Sequence, residues 1–151
     1  MQEDSGLRPQ ADSRSGPTWS PQDLRHLDGL RELEISVPPA DGVPGRWTPI
    51  WVVVADHEVF VRTWHRRNTG WYGRAVASGS ALIRMRGEPV HVIVTATGST
   101  DADAVDASYR AKYGAAGAQS MLTAEAVAST LRLAPRPVLT IRQQNHPAGR
   151  R

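Results

Sequence analysis

The sequence contains no cysteine, which excludes disulfides and thiolate metal ligation and leaves any redox chemistry to a bound cofactor. It also lacks an apolar run near the roughly 20 residues that a membrane-crossing helix needs. The acidic, Ser-rich start from Met1 to Ser15 has neither the basic nor the apolar region of a secretory signal, so a cytoplasmic location with no membrane partner is the expectation. There is no Gly-x-Gly-x-x-Gly after a strand, no phosphate loop and no Gly-x-Ser-x-Gly elbow. Dinucleotide folds, nucleotide hydrolysis and serine hydrolysis lose support accordingly. His57, His65 and His91 lie at no metal-ligand spacing, and no metal is expected.

What is present describes one globular domain: 151 residues, 40% hydrophobic and 22% charged, enough for a single core and too few for two. The net charge of +3 invites a nucleic-acid reading, but the position of the charge weakens it. Arg136, Arg142, Arg150 and Arg151 stand beyond Pro135 without an acid, while the first 17 residues are slightly acidic, so the body between is neutral. Arginines spread that thinly make no dense basic patch, and nucleic acid is not the expected partner. Residues 1–17 are too rich in Ser, Pro, Gly and Gln to bury themselves and are expected to be disordered. The domain is placed at 18–135, followed by a flexible basic tail at 136–151.

Within the domain, Ser20-Pro21-Gln22-Asp23 reads as a hydroxyl cap, a proline at the first helical position and an early acid, which start a short helix to about Gly29. A strand from Glu32 to Val37 follows. The segment from Thr48 to Thr95 carries two candidate hairpins separated by a helix over Gly70 to Ser78 that Gly79 ends. With Asp56-His57 as a two-residue turn, Val54 faces Val59, Val53 faces Phe60 and Trp51 faces Arg62. Ile50, Val52, Val54, Val59, Val61 and Thr63 then share one face, and Trp51, Val53, Phe60, Arg62 and Trp64 the other. Taking Gly87-Glu88 as the second turn collects Ala81, Ile83, Met85, Val90, Val92 and Val94 on one face and Arg84, Arg86 and His91 on its reverse. Two twisted hairpins with aliphatic faces bury them most simply around a common core, leaving the reverse faces free. A helix from Asp101 to Tyr113 with Val105, Tyr109 and Tyr113 in register should cover part of the barrel. Its early acids Asp101, Asp103 and Asp106 are read as complements of the helix dipole. A short helix from Thr123 to Ala128 and a strand from Thr130 to Ala134 complete the domain.

Chemistry is concentrated between Arg62 and Tyr72. Arg62, Thr63, Trp64, His65, Arg66 and Arg67 lead into a helix start at Gly70, where unpaired N–H groups and guanidiniums suit an anion, phosphate first. Trp51, Trp64, Trp71 and Tyr72 add flat area for stacking on a planar ring. Indoles and strand arginines are also common as core and surface residues, and spacing alone favours that structural reading.

Thr48-Pro49-Ile50-Trp51-Val52-Val53-Val54, Val59-Phe60-Val61-Arg62-Thr63 and Gly70-Trp71-Tyr72-Gly73-Arg74-Ala75, in this order, resemble the split β-barrel superfamily of flavin- and deazaflavin-binding proteins, pyridoxamine-phosphate-oxidase-like and nitroreductase-like. Within it the chain is similar to a small bacterial domain-of-unknown-function family, DUF2255-like, which also shows Ala111-Lys112-Tyr113-Gly114 and Thr130-Leu131-Arg132-Leu133; the similarity spans Trp19 to Arg136. The resemblance implies an α+β, mainly antiparallel split β-barrel with a short N-terminal helix and flanking helices. It also implies a homodimer, and FMN or deazaflavin held by Arg62, Thr63, Arg66 and Arg67 at the phosphate, with Trp71-Tyr72 near the ring. Trp64-His65-Arg66-Arg67 replaces the small residues common in the nitroreductase-like branch, and such bulk would fill a cofactor pocket.

Two functions follow as expectations. One is a flavin- or deazaflavin-dependent reductase of a small organic substrate, with Arg62, Thr63, Arg66 and Arg67 anchoring, Trp51, Trp64 and Trp71 shaping the pocket and Tyr72 as proton donor. The other is a cofactor-free small-molecule binder, or a cyclase- or isomerase-type enzyme, using the same pocket.

Overall fold

A computed structural model describes residues 17–37, 46–63 and 70–137. The element order is α1 (Pro21–Gly29), β1 (Leu33–Ser36), β2 (Thr48–Ile50), β3 (Val53–Ala55), β4 (Glu58–Val61), α2 (Gly70–Ser78), β5 (Ser80–Met85), β6 (Glu88–Ala96), α3 (Ala102–Tyr113), α4 (Ala115–Ala118), a 3-10 turn (Gln119–Met121), α5 (Ala124–Ala128) and β7 (Leu131–Pro135). The expected N-terminal segment and most of the basic tail lie outside the described residues. Arg136 itself still donates its backbone N–H to the His91 carbonyl at 3.2 Å, one step past the last strand. No helix among the described residues is long and apolar enough to cross a membrane.

All strand pairs are antiparallel and form one sheet in the order β2-β1-β5-β6-β7-β4-β3. Its two outermost strands, β2 and β3, are separated in the chain by Trp51 and Val52 alone. One continuous segment therefore pairs with β1 at one edge, bends at Trp51-Val52 and pairs with β4 at the other edge. That bend curls the sheet into a split barrel and hides edges that would otherwise invite intermolecular pairing.

The first hairpin pairs as its alternation requires, Val54 with Val59 and Val53 with Phe60, around Asp56 (φ 51°) and His57 (φ 66°). In the second hairpin the turn falls on Arg86 (φ 51°) and Gly87 (φ 84°) instead of Gly87-Glu88, so Met85 faces Glu88 and Ile83 faces Val90. Both turns need positive φ at two positions, and a glycine in the second place of the Arg86-Gly87 turn fits that need. The turn moves by one residue and each cross-strand partner by two. Because strand side chains alternate with period two, every residue keeps its expected face.

Ile50, Val52, Val59, Val61, Ala81, Ile83, Met85, Val92, Val94, Leu131 and Leu133 turn inward and form the barrel core, joined by Leu27 of α1 and Tyr72 and Ala75 of α2. α1 starts as its sequence dictates, with the Asp23 N–H donating to the Ser20 hydroxyl at 3.0 Å. The reverse face of the first hairpin is not free. Val53, Ala55 and Phe60 are buried beneath Val105, Tyr109 and Tyr113 of α3, with Ala118 and Met121 completing a second core outside the barrel. A hairpin with apolar residues on both faces loses water on both sides, and the i, i+4, i+8 stripe of α3 supplies the second cover.

Candidate functional site

The bend that closes the barrel takes Val52 out of the sheet ladder, and a backbone group removed from its ladder needs another partner. Side chains at the end of α3 provide it. The Val52 N–H donates to the Tyr113 hydroxyl at 3.3 Å, which in turn donates to the Arg31 carbonyl at 2.7 Å. Lys112 Nζ donates to the Val52 carbonyl at 2.7 Å and to the Leu27 carbonyl at 3.2 Å. Trp51 lies flat on Tyr113, with ring centroids 4.0 Å apart and planes 5° from parallel. Burial pulls the Lys112 pKa down and pushes that of Tyr113 up, because each loses water around its charged form.

Beside this bend, at the end of the barrel, is a cavity of about 270 Å³. Its walls include Trp51 from the bend, Thr63 beyond β4, Trp71 from the first turn of α2, and Ser120 and Met121 from the 3-10 turn; Glu32 brings a carboxylate and Arg62 lies behind the surface. Four residues that the sequence singles out, Trp51, Arg62, Thr63 and Trp71, therefore meet at one place. Tyr72 does not line it. Its ring packs into the barrel core and stands edge-on to Trp71 at 5.6 Å. Trp64, Arg66 and Arg67 lie outside the described residues.

Arg62 has a different task from the expected one. Its side chain has 0% exposure and so has no surface to offer a phosphate. Nε donates to Thr130 Oγ1 at 2.8 Å, while Nη1 donates to Asp106 Oδ1 at 2.7 Å and to the Met121 carbonyl at 2.8 Å. The guanidinium carbon stands 5.3 Å from the centre of the Tyr109 ring, and among the described residues Nη2 has no hydrogen-bond partner. Asp106 neutralises the charge, so Arg62 acts as a strut between β4, α3 and the turn that forms the cavity wall. Asp106 is accordingly more than a dipole complement. Its position between Val105 and Tyr109, on the apolar stripe of α3, is the sequence signal that could have revealed a buried partner. Thr63 is fixed by its neighbour's strand entry, its N–H donating to the Ser129 hydroxyl at 2.9 Å. Glu32, Ser120 and Met121 carry no sequence pattern that marks them as cavity residues.

The profile of a bacterial family described as "Uncharacterized protein conserved in bacteria (DUF2255)" matches residues 23–133, which contain the bend, the Arg62 strut and the cavity. The chain belongs to this family. None of the curated proteins matches the DUF2255 chain. Among solved structures it is similar to the crystal structure of the conserved hypothetical protein Rv2991 from Mycobacterium tuberculosis, with a TM-score of 0.53 and 14% identity over 82% of this chain and 85% of that one. At that identity the likeness concerns the fold of the DUF2255 protein alone.

Proposed function

We propose that this DUF2255 protein is a small-molecule-binding split barrel that holds a planar ligand against Trp51 and Trp71. The observation that carries the reading is the convergence of those two indoles with the Thr63 and Ser120 side chains on one cavity. Flat apolar walls with a few polar groups at fixed positions are the usual make-up of a ligand pocket.

The cofactor-free form of this reading, a binder or a cyclase- or isomerase-type enzyme, has the better support. At about 270 Å³ the cavity falls just short of the roughly 300–1,000 Å³ of common ligand pockets. The Glu32 carboxylate on its wall disfavours a dianion, and the Arg62 charge is neutralised and enclosed. The described residues suit the ring of a flavin or deazaflavin and do not fit its phosphate. A flavin- or deazaflavin-dependent reductase therefore rests on Arg66 and Arg67 for phosphate binding, and is favoured by the split-barrel fold and the two indoles. In it the cofactor would supply the hydride chemistry.

Titration of the full chain with FMN, riboflavin and a deazaflavin, followed by indole fluorescence, separates the two. Saturable binding of any of them, weakened at least tenfold in Trp71→Ala, selects the reductase. If none binds, the reductase reading falls. Quinoline, a planar probe without phosphate, should then quench the wild-type protein saturably and Trp71→Ala not at all; equal response of both proteins removes the pocket reading as well.

A further inference from the structure

A second cavity opens on the outer face of the barrel wall and shares no lining residue with the Trp51–Trp71 site. Strand register places it. Phe60 and Thr95 both stand opposite Arg132, and Ile93 stands opposite Ala134, so these side chains share the outer face of β4, β7 and β6. α3 covers the Phe60 part of that face. The remainder forms a groove of about 240 Å³ lined by His57, Thr95, Arg132 and Ile93, with Glu58 at one side and Trp19 at its base.

Three features of the groove point to a ligand. The Arg132 side chain is half-buried there, and among the described residues it makes no hydrogen bond or ion pair, although Glu58 shares the groove. A guanidinium partly withdrawn from water and bonded to no carboxylate is a donor in search of an acceptor. Ile93 is one of two large hydrophobic residues left exposed among the described residues, at 38%, and it lines the same groove. Finally, His57 holds φ 66° in a turn position that glycine suits best. The other hairpin of this chain has Gly87 at that position, so His57 holds its imidazole at the groove wall at a backbone angle that costs more than glycine would.

We propose that this groove is a binding site for a small monocarboxylate with an apolar body. Arg132 takes the carboxylate with a paired hydrogen bond, His57 and Thr95 flank it, and the apolar part lies on Trp19 and Ile93. A carboxylate is preferred over a phosphate dianion because Trp19 and Ile93 give the groove an apolar side that only a ligand with an apolar body covers. The volume equals the liquid share of about eight water molecules, which suits a ligand the size of benzoate.

The probes are benzoate, its neutral isostere benzamide and inorganic phosphate, titrated into the full chain and followed by amide chemical shifts. Benzoate is expected to shift the His57, Thr95 and Arg132 amides saturably, and to bind at least tenfold more tightly than benzamide or phosphate. Arg132→Gln should lose at least tenfold of that affinity. His57→Gly should weaken benzoate binding severalfold while raising Tm, a combination that a purely structural residue would not give. Equal binding of benzoate and benzamide, tighter binding of phosphate, unchanged affinity in Arg132→Gln, or shifts confined to Trp71 and Ser120 would overturn the proposal. The benzoate-to-benzamide ratio is measured on the wild-type protein and stays decisive if a variant folds poorly.

Discussion

Asp106 is the residue on which the buried arginine depends, and Asp106→Asn tests that dependence. The substitution keeps the oxygen at the position that now accepts from Arg62 Nη1 at 2.7 Å and removes only the charge. Arg62 cannot reach water to compensate, since its side chain has 0% exposure and two of its three nitrogens are held by Thr130, Asp106 and Met121. Breaking a buried pair by removing one charge costs roughly 3–5 kcal/mol. Asp106 is 20% exposed and the hydrogen bond survives, so the cost falls at or just below the lower end of that range, about 2–3 kcal/mol. For a domain of this size that lowers Tm by roughly 6–15 °C. Urea unfolding monitored by circular dichroism should show the midpoint falling with an unchanged slope. In a cycle with Arg62→Met the two losses should fall short of additivity by about 1.5 kcal/mol or more, because the double variant no longer buries an unpaired charge. A loss under about 0.5 kcal/mol for Asp106→Asn, or strict additivity, would refute the strut.

The clasp on the barrel bend gives a second test: Lys112→Met removes both bonds from Nζ, to Val52 and Leu27, and should destabilise by about 1–2 kcal/mol in urea unfolding, since charged hydrogen bonds contribute about 1.5–3 kcal/mol and Nζ is only partly buried. Alkaline stability gives a third. Desolvation raises the Tyr109 and Tyr113 pKa values above the ordinary 10.0, so above pH 10 the folded chain keeps protons that the unfolded chain releases, and stability must fall as pH rises. Lys112 has the opposite sign, being desolvated below its ordinary 10.5, so the alkaline loss should be steeper in Lys112→Met. Absorbance at alkaline pH should show the Tyr109 and Tyr113 phenolates appearing together with unfolding; free titration of both in a folded protein would contradict it.

Much of the barrel could be read from alternation alone. Both hairpins, the inward faces of their strands and the span of α2 follow from period-two patterning and from Gly79, and placing the second turn at Gly87-Glu88 instead of Arg86-Gly87 left those faces intact. What alternation cannot show is whether the second face of a strand is wet. Trp51, Val53 and Phe60 look equally ready for a ligand or for a helix, and the stripe on α3 that covers them lies some forty residues on. The same limit applies to the site. Thr63, Trp51 and Trp71 were recognisable because indoles and hydroxyls cluster near one strand end, whereas Arg62 belongs to a pair whose other member is Asp106, and no local spacing connects the two. The 3-10 turn that brings Ser120 and Met121 to the cavity is tied to Arg62 through the Met121 carbonyl.

The last strand of the barrel is the one that makes it whole. β7 sits between β6 and β4, so until residues 131–135 are available the two hairpins have no shared seam and the strand ends near Trp51 have nothing to close upon. During synthesis the chain must wait with both hairpins half-open until residues 131–135 emerge, and a message cut short before Leu131 would release two unsealed ribbons instead of a vessel.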